Sequence, residues 1–222
     1  MVAALLFDLF ETLITERHAT PTRASALGER LALDKVAFRT AWKRQRARVV
    51  CGKLSFADAL LEIGELLGRR LDSQLVCRLS DERRLEKAAL FQRFDPIALG
   101  VLRQLRDRGC KIAVVSNCFA EDVDAWPTCS AAVCFDASVF SFEVGSAKPE
   151  PHIYLEATRR LRVEGPVAMY IGDGGDDELL GAERAGLRAA QAAWFRGERG
   201  GLPPRIPRLL SWSAVLQLVT AG

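Results

Sequence analysis

The sequence predicts an α/β protein: a three-layer α/β/α core around a parallel sheet, with a small all-helical domain inserted near its start. Three observations carry this. Short apolar runs at residues 2–7, 111–115 and 167–171 each stop at a polar turn, as strands buried on both faces do. Segments with helical spacing of apolar residues lie between the later runs, the alternation expected of parallel strands joined by crossover helices. Residues 18–92 break that alternation and are dominated by Ala, Leu, Arg and Glu at helical spacing.

The first run ends at Asp8-Leu9-Phe10-Glu11-Thr12. Inside the helical stretch, Ser55 is positioned to cap a helix, with Asp58 three residues later as in a capping box. That helix should bury Ala59, Leu60, Ile63, Leu66 and Leu67 and stop near Gly68, and a further helix covers residues 73–92. Alternation resumes at Asp95-Pro96 with a helix reaching Arg108, stopped by Gly109. A strand at 111–115 ends at Ser116-Asn117. A short strand near Val139-Phe140 leads through Gly145-Ser146-Ala147-Lys148-Pro149 to a helix over 151–161. The strand at 167–171 ends at Gly172-Asp173, a helix covers 176–185, a last inner strand covers 189–194, and 197–207 is a glycine- and proline-rich loop. The expected division is a core of residues 1–16 and 93–222 and a helical domain of residues 17–92.

The bulk properties narrow the function. With 222 residues and 49% hydrophobic content, a sizeable core can form and disorder is not expected. A net charge of +3 without a basic stripe gives no footprint for nucleic acid. Six cysteines without a Cys-x-x-Cys pair, beside two histidines, argue against zinc. No apolar stretch approaches the roughly 18 residues of a membrane span, and the start carries no basic segment of a secretory leader. The expectation is a reduced, cytoplasmic protein, monomeric or homodimeric, acting on a small anionic molecule without nucleic-acid or membrane partners.

Ligands of open parallel sheets bind beyond the carboxyl ends of the strands. Asp8, Ser116 and Asp173 each fall just past a strand, and Lys148 lies in a loop before a helix, so one site can gather all four. Phe7-Asp8-Leu9-Phe10-Glu11-Thr12-Leu13, Val115-Ser116-Asn117, Gly145 to Pro151 with Ile153-Tyr154, and Ile171-Gly172-Asp173-Gly174-Gly175-Asp176-Asp177 resemble, in order, the four motifs of the haloacid dehalogenase superfamily. The helical insert follows the first motif as that family's cap does. The resemblance implies a Rossmann-like core, a hydrolase with Asp8 as covalent nucleophile, and a Mg2+ ion held by Asp8, Asp173 and the backbone carbonyl of Phe10, with Asp177 or the adjacent Glu178 holding metal-bound water. Ser116 and Asn117 of the second motif join the site, Ser116 donating to a phosphoryl oxygen, and Lys148 neutralises charge. Oxygen ligands suit magnesium, and phosphoryl transfer runs mainly on positioning and electrostatics.

One position departs from the pattern. Phosphatases of the superfamily carry a second aspartate two residues after the nucleophile, as acid and base; here that residue is Phe10. Three readings stay open: a magnesium-dependent phosphatase whose acid is dispensable or replaced by Glu11 or a cap residue, a metal-independent 2-haloacid dehalogenase whose halide needs no proton, and a weakly catalytic binder of a phosphorylated ligand. The retained Asp173 favours the first. Thr12, Arg17 and Cys118 are the candidates for contacting substrate. The basic stretch of Trp42, Lys43, Arg44, Arg46 and Arg48 reads first as a solvated helix face and second as a surface drawing anions toward the cleft.

Overall fold

The computed structural model describes residues 2–16, 22–197 and 201–220. Strands β1 (Ala4–Phe7), β2 (Lys111–Ser116), β3 (Ala137–Phe140), β4 (Ala168–Gly172), β5 (Arg188–Ala192) and β6 (Arg208–Leu209) form one sheet in the order β3-β2-β1-β4-β5-β6, parallel throughout. The helices are α1 (Ala24–Arg30), α2 (Lys35–Val50), α3 (Phe56–Leu66), α4 (Ser73–Phe91), α5 (Pro96–Asp107), α6 (Ala120–Val123), α7 (Ser141–Val144), α8 (Pro151–Leu161), α9 (Glu178–Arg184) and α10 (Trp212–Thr220). This is the α/β architecture that the strand–helix alternation predicts.

Successive side chains of a strand point to opposite faces, so a strand covered on both faces reads as an unbroken apolar run. In β1, Leu5 and Phe7 enter the core that includes Leu102, Leu105 and Trp212 of α5 and α10, whereas Ala4 and Leu6 enter the one that includes Ile153, Tyr154 and Leu179 of α8 and α9. Ile112 and Val114 against Ala113 and Val115 in β2, and Met169 and Ile171 against Ala168 and Tyr170 in β4, divide in the same way.

Helices α1–α4 share a third core around Phe38, Trp42, Phe56, Leu60 and Ile63, and Phe119 from the loop after β2 completes it. The rings of Trp42 and Phe119 meet edge-on at 6.0 Å. Burying one phenylalanine is worth roughly 1.5–3 kcal/mol, so Phe119 is a substantial anchor between insert and sheet. Ion pairs reinforce it: Arg83 of α4 lies 2.6 Å from Asp122 of α6 and stacks over Phe119 at 4.6 Å.

Local details differ from the sequence reading. Ser55 caps α3 by accepting from the Asp58 amide at 3.0 Å, but the return bond comes from its hydroxyl to the Asp58 carboxylate at 2.6 Å rather than from its backbone. Leu66, expected inside, is exposed because α3 ends there. The inner strand expected to reach residue 194 ends at Ala192, and the edge strand β6 and helix α10 beyond the glycine- and proline-rich loop were not foreseen. A two-residue strand is too short to show a period. Among the described residues all six cysteines are free, and no described helix is long and apolar enough to cross a membrane.

Candidate active site

Asp8 lies one residue past β1, buried, its backbone N–H bonded to the Ile171 carbonyl of the neighbouring strand at 2.9 Å. The Lys148 ammonium donates to Asp8 Oδ1 at 2.5 Å, to Glu178 Oε2 at 2.6 Å and to the Tyr170 hydroxyl at 2.8 Å. Tyr170 in turn donates to Glu178 Oε2 at 2.6 Å, so one buried cation is held by two carboxylates and a phenol. The Lys148 backbone is fixed from the opposite direction. Asn117 Nδ2 donates to its carbonyl at 2.9 Å, and its N–H donates to Asn117 Oδ1 at 2.7 Å.

Asp173 follows β4. Its Oδ1 accepts from the Gly175 N–H at 2.9 Å and its Oδ2 from Arg196 at 3.1 Å. Arg196 also faces Glu11 at 3.4 Å. Glu11, with φ 62, accepts from Thr15 at 3.0 Å and from the Glu16 N–H at 2.8 Å. Carboxylate oxygens of Asp8, Asp173 and Glu178 come within 4.8 Å of one another. They open onto a cleft of about 310 Å³. Phe10, Glu11 and Glu16 line its core side, and Arg46, Arg83 and Lys87 from the insert line the other.

Burial pushes the Asp8 carboxyl up to about 7; Lys148 opposes the rise, and Glu178 and Asp173 add to it. Burial likewise raises Asp173, with Glu178 contributing. For Lys148, burial opposes the charge, but the Asp8 and Glu178 carboxylates outweigh it and hold the ammonium above its ordinary range. Buried carboxylates crowded around one cation in a cleft are a signature of a functional site.

A family profile for haloacid dehalogenase-like hydrolases matches residues 2–186. The chain belongs to that family. Within it, a glyceraldehyde 3-phosphate phosphatase of Methanopyrus kandleri is 35% identical over 113 residues, covering 50% of this chain and 47% of that protein, so the match spans about half of its length. Haloacid dehalogenase-like hydrolase domain-containing protein 3 of Mus musculus is 27% identical over 201 residues, 83% of this chain and 79% of that one. Among solved structures, a 2-haloacid dehalogenase from Pseudomonas syringae pv. Tomato DC3000 superimposes with a TM-score of 0.71 at 23% identity, covering 100% and 99% of the two chains. A HAD phosphatase from Thermococcus onnurineus does so with 0.64 at 20% identity, covering 99% and 98%. These superpositions show the shared fold.

Of the residues that the sequence singles out, Asp8, Phe10, Asn117, Lys148 and Asp173 line the cleft. Ser116 ends β2, fully buried, its hydroxyl without a hydrogen-bond partner among the described residues. Thr12 is buried behind Asp8, its hydroxyl 3.4 Å from Asp8 Oδ2, so it braces the carboxylate rather than facing the cleft. Cys118 is a correction. Its thiol turns back to the Ser116 carbonyl at 3.8 Å inside the core, and burial raises it well above an ordinary thiol. Asp177 and Glu178, the two alternatives for holding metal-bound water, point in different directions. Asp176 and Asp177 have φ of 49 and 54, a left-handed pair that turns the Asp177 side chain into solvent. Glu178, the first residue of α9, takes the inward place instead, its Oε1 accepting from the Gly174 N–H at 3.0 Å. Gly172 makes room for it, since a Cβ there would lie 2.2 Å from Glu178 Oε1. Arg17 lies outside the described residues, as does His18.

The sequence reading missed Arg83, Lys87, Tyr170 and Arg196. Arg196 follows the carboxyl end of β5, and that position was a usable signal. Tyr170 lay within a recognised strand and read as core. Lys87 and Arg83 had no signal, because they sit on a polar helix. Arg46 is exposed, as the solvated-face reading expects, and it also borders the cleft. The hard oxygen donors of Asp8, Asp173 and Glu178 fit a divalent ion such as Mg2+.

Proposed function

We propose that the protein is a magnesium-dependent phosphatase acting on a small phosphorylated metabolite, with Asp8 as nucleophile. The observation that carries this reading is the Asp8–Asp173–Glu178 oxygen cluster beside Lys148. Carboxyl-bearing residues around the cleft number seven against five cationic ones, so an entering phosphate meets an excess of negative charge unless a cation offsets it. Asp8, Asp173 and the Phe10 carbonyl would hold the ion, with Glu178 beside it. Bound there, magnesium supplies charge neutralisation for the phosphoryl oxygens.

The protein's own groups do the rest. Lys148 aligns the Asp8 carboxylate and offsets its charge. Asp8 attacks phosphorus as the bond to the leaving oxygen breaks, and water then hydrolyses the aspartyl-phosphate. Ser116, whose buried hydroxyl has no hydrogen-bond partner among the described residues, donates to a phosphoryl oxygen. Asn117 keeps Lys148 in register, and Thr12 braces Asp8. Helices α1–α4 act as a cap that closes the cleft over a small anionic substrate, in a cytoplasmic setting. The similarity to a protein named glyceraldehyde 3-phosphate phosphatase supports phosphate chemistry. Phe10, which cannot protonate a leaving group, is the observation that favours a second reading, metal-independent dehalogenation.

Phosphate release from small phosphate esters and acyl phosphates, with magnesium or chelator, tests both. Release that requires magnesium and disappears in Asp8→Asn is the expected result. Halide release from 2-haloacids that ignores chelation would replace the phosphatase reading with the dehalogenase one.

A further inference from the structure

Resting on the phosphatase reading, the cleft holds a group suited to the proton transfer that Phe10 cannot perform. An alkyl or phenyl phosphate expels a basic oxygen, and a positioned proton donor typically accelerates such a step by about 10²–10⁴-fold. Most groups in the cleft are committed elsewhere. Lys148 is fixed by three acceptors on the nucleophile's side. Glu11 has its oxygens engaged by Thr15, the Glu16 amide and Arg196. Tyr170 gives its proton to Glu178. Arginine does not release a proton in proteins.

Lys87 is different. It comes from α4 of the insert, is 95% buried by its residual exposure of 5%, and lines the same cleft as Asp8. Its ammonium stands 4.4 Å over the ring of Phe10, the residue two positions after Asp8. Glu16 accepts a hydrogen bond from it, and Asp122 Oδ1 lies 3.7 Å away. An ammonium carries three N–H donors, so these partners orient it without exhausting it. The ring beneath it is apolar and attracts the charge through its face.

We propose that Lys87 is the proton donor to the leaving group, supplied by the insert in place of a carboxyl at residue 10. As the Asp8 oxygen–phosphorus bond forms, the bond to the leaving oxygen breaks and its electron pair stays on that oxygen. The oxygen takes a proton from the Lys87 ammonium, which becomes an amine. The amine then accepts a proton from the water that attacks the aspartyl-phosphate. That step releases inorganic phosphate and restores both the Asp8 carboxylate and the ammonium. Because Lys87 arrives with the insert while Asp8 belongs to the sheet, chemistry requires the two to be held together.

The test is hydrolysis, with magnesium, of aryl phosphates of similar size and graded leaving-group acidity, from phenyl phosphate to dinitrophenyl phosphate. Wild type is compared with Lys87→Met and Lys87→Arg. Lys87→Met should lose about 10²–10⁴-fold on phenyl phosphate and less than about tenfold on dinitrophenyl phosphate, whose leaving group needs no proton. Lys87→Arg keeps the charge and the ion pairs but cannot give up a proton, so it should show the same selective loss. The ratio between substrates is independent of the fraction of folded protein, so misfolding cannot imitate the result. Equal losses on both substrates, or no loss, would overturn the role of Lys87 alone. A wild type silent on every aryl phosphate would overturn the phosphatase reading itself.

Discussion

Replacing Asp8 by asparagine should change the pH dependence of stability in a calculable way. Burial pushes the Asp8 carboxyl up to about 7 in the folded protein, whereas in the unfolded chain it titrates near an ordinary value of about 3.9. Between those values the folded state keeps a proton that the unfolded state has released. Stability contributed by protonated Asp8 is therefore fully present below the unfolded value and is lost as pH rises through the folded one. At about 1.4 kcal/mol per unit of pKa difference, wild type loses roughly 2–3 kcal/mol between about pH 5 and pH 8 through this group. Asp8→Asn cannot titrate. Any constant effect of the substitution, including the loss of one Lys148 partner, cancels when the two pH values are compared. Urea unfolding of both proteins, with chelator present so that no divalent ion holds Asp8 ionised, measures this directly. The advantage of Asp8→Asn over wild type should grow by roughly 2–3 kcal/mol from the lower pH to the higher. A difference that stays flat, or shrinks, would refute the claim that burial and neighbouring carboxylates outweigh Lys148 at Asp8.

Three further outcomes follow from the geometry. Ser116→Ala removes a buried hydroxyl with no partner among the described residues, so urea midpoints should move by less than about 0.5 kcal/mol equivalent, while turnover of phosphate esters falls by about 10²-fold or more if the hydroxyl serves the transition state. Tyr170→Phe removes a bridge between Lys148 and Glu178 and should cost about 1–3 kcal/mol in denaturant unfolding. Arg196→Gln frees Asp173 Oδ2 from a guanidinium whose side chain is largely exposed. Magnesium affinity by calorimetry should tighten about two- to fivefold, because solvent around the exposed guanidinium screens its pull on Asp173.

Much of the fold was legible because its signals are local. An apolar run of strand length ending at a polar residue states both that the strand is buried on two faces and where its carboxyl end lies. Asp8, Ser116 and Asp173 were placed in this way. The helix cap at Ser55 read equally well, since a cap needs only its own turn; the structure adds a cap at Asp95, which accepts from the Ile97 amide at 2.8 Å. Two details turn on side-chain direction, which one residue of rotation decides. Asp177 and Glu178 are adjacent acids, and only the left-handed backbone at 176 and 177 determines that the second faces inward. Cys118 follows a motif residue, yet its side chain turns to the interior.

The amino-acid order alone determined the parallel α/β core and the helical stretch between its first two strands, because each depends on periodicity or on neighbours within a few residues. Only the tertiary structure decided what the cleft is made of opposite Asp8. Lys87 lies 71 residues from Glu16 in sequence and meets it because Phe119, Arg83 and Asp122 dock the insert against the sheet. Such contacts are set by how the two cores pack, and no pattern along the chain encodes which polar residue of a helix will face the other core.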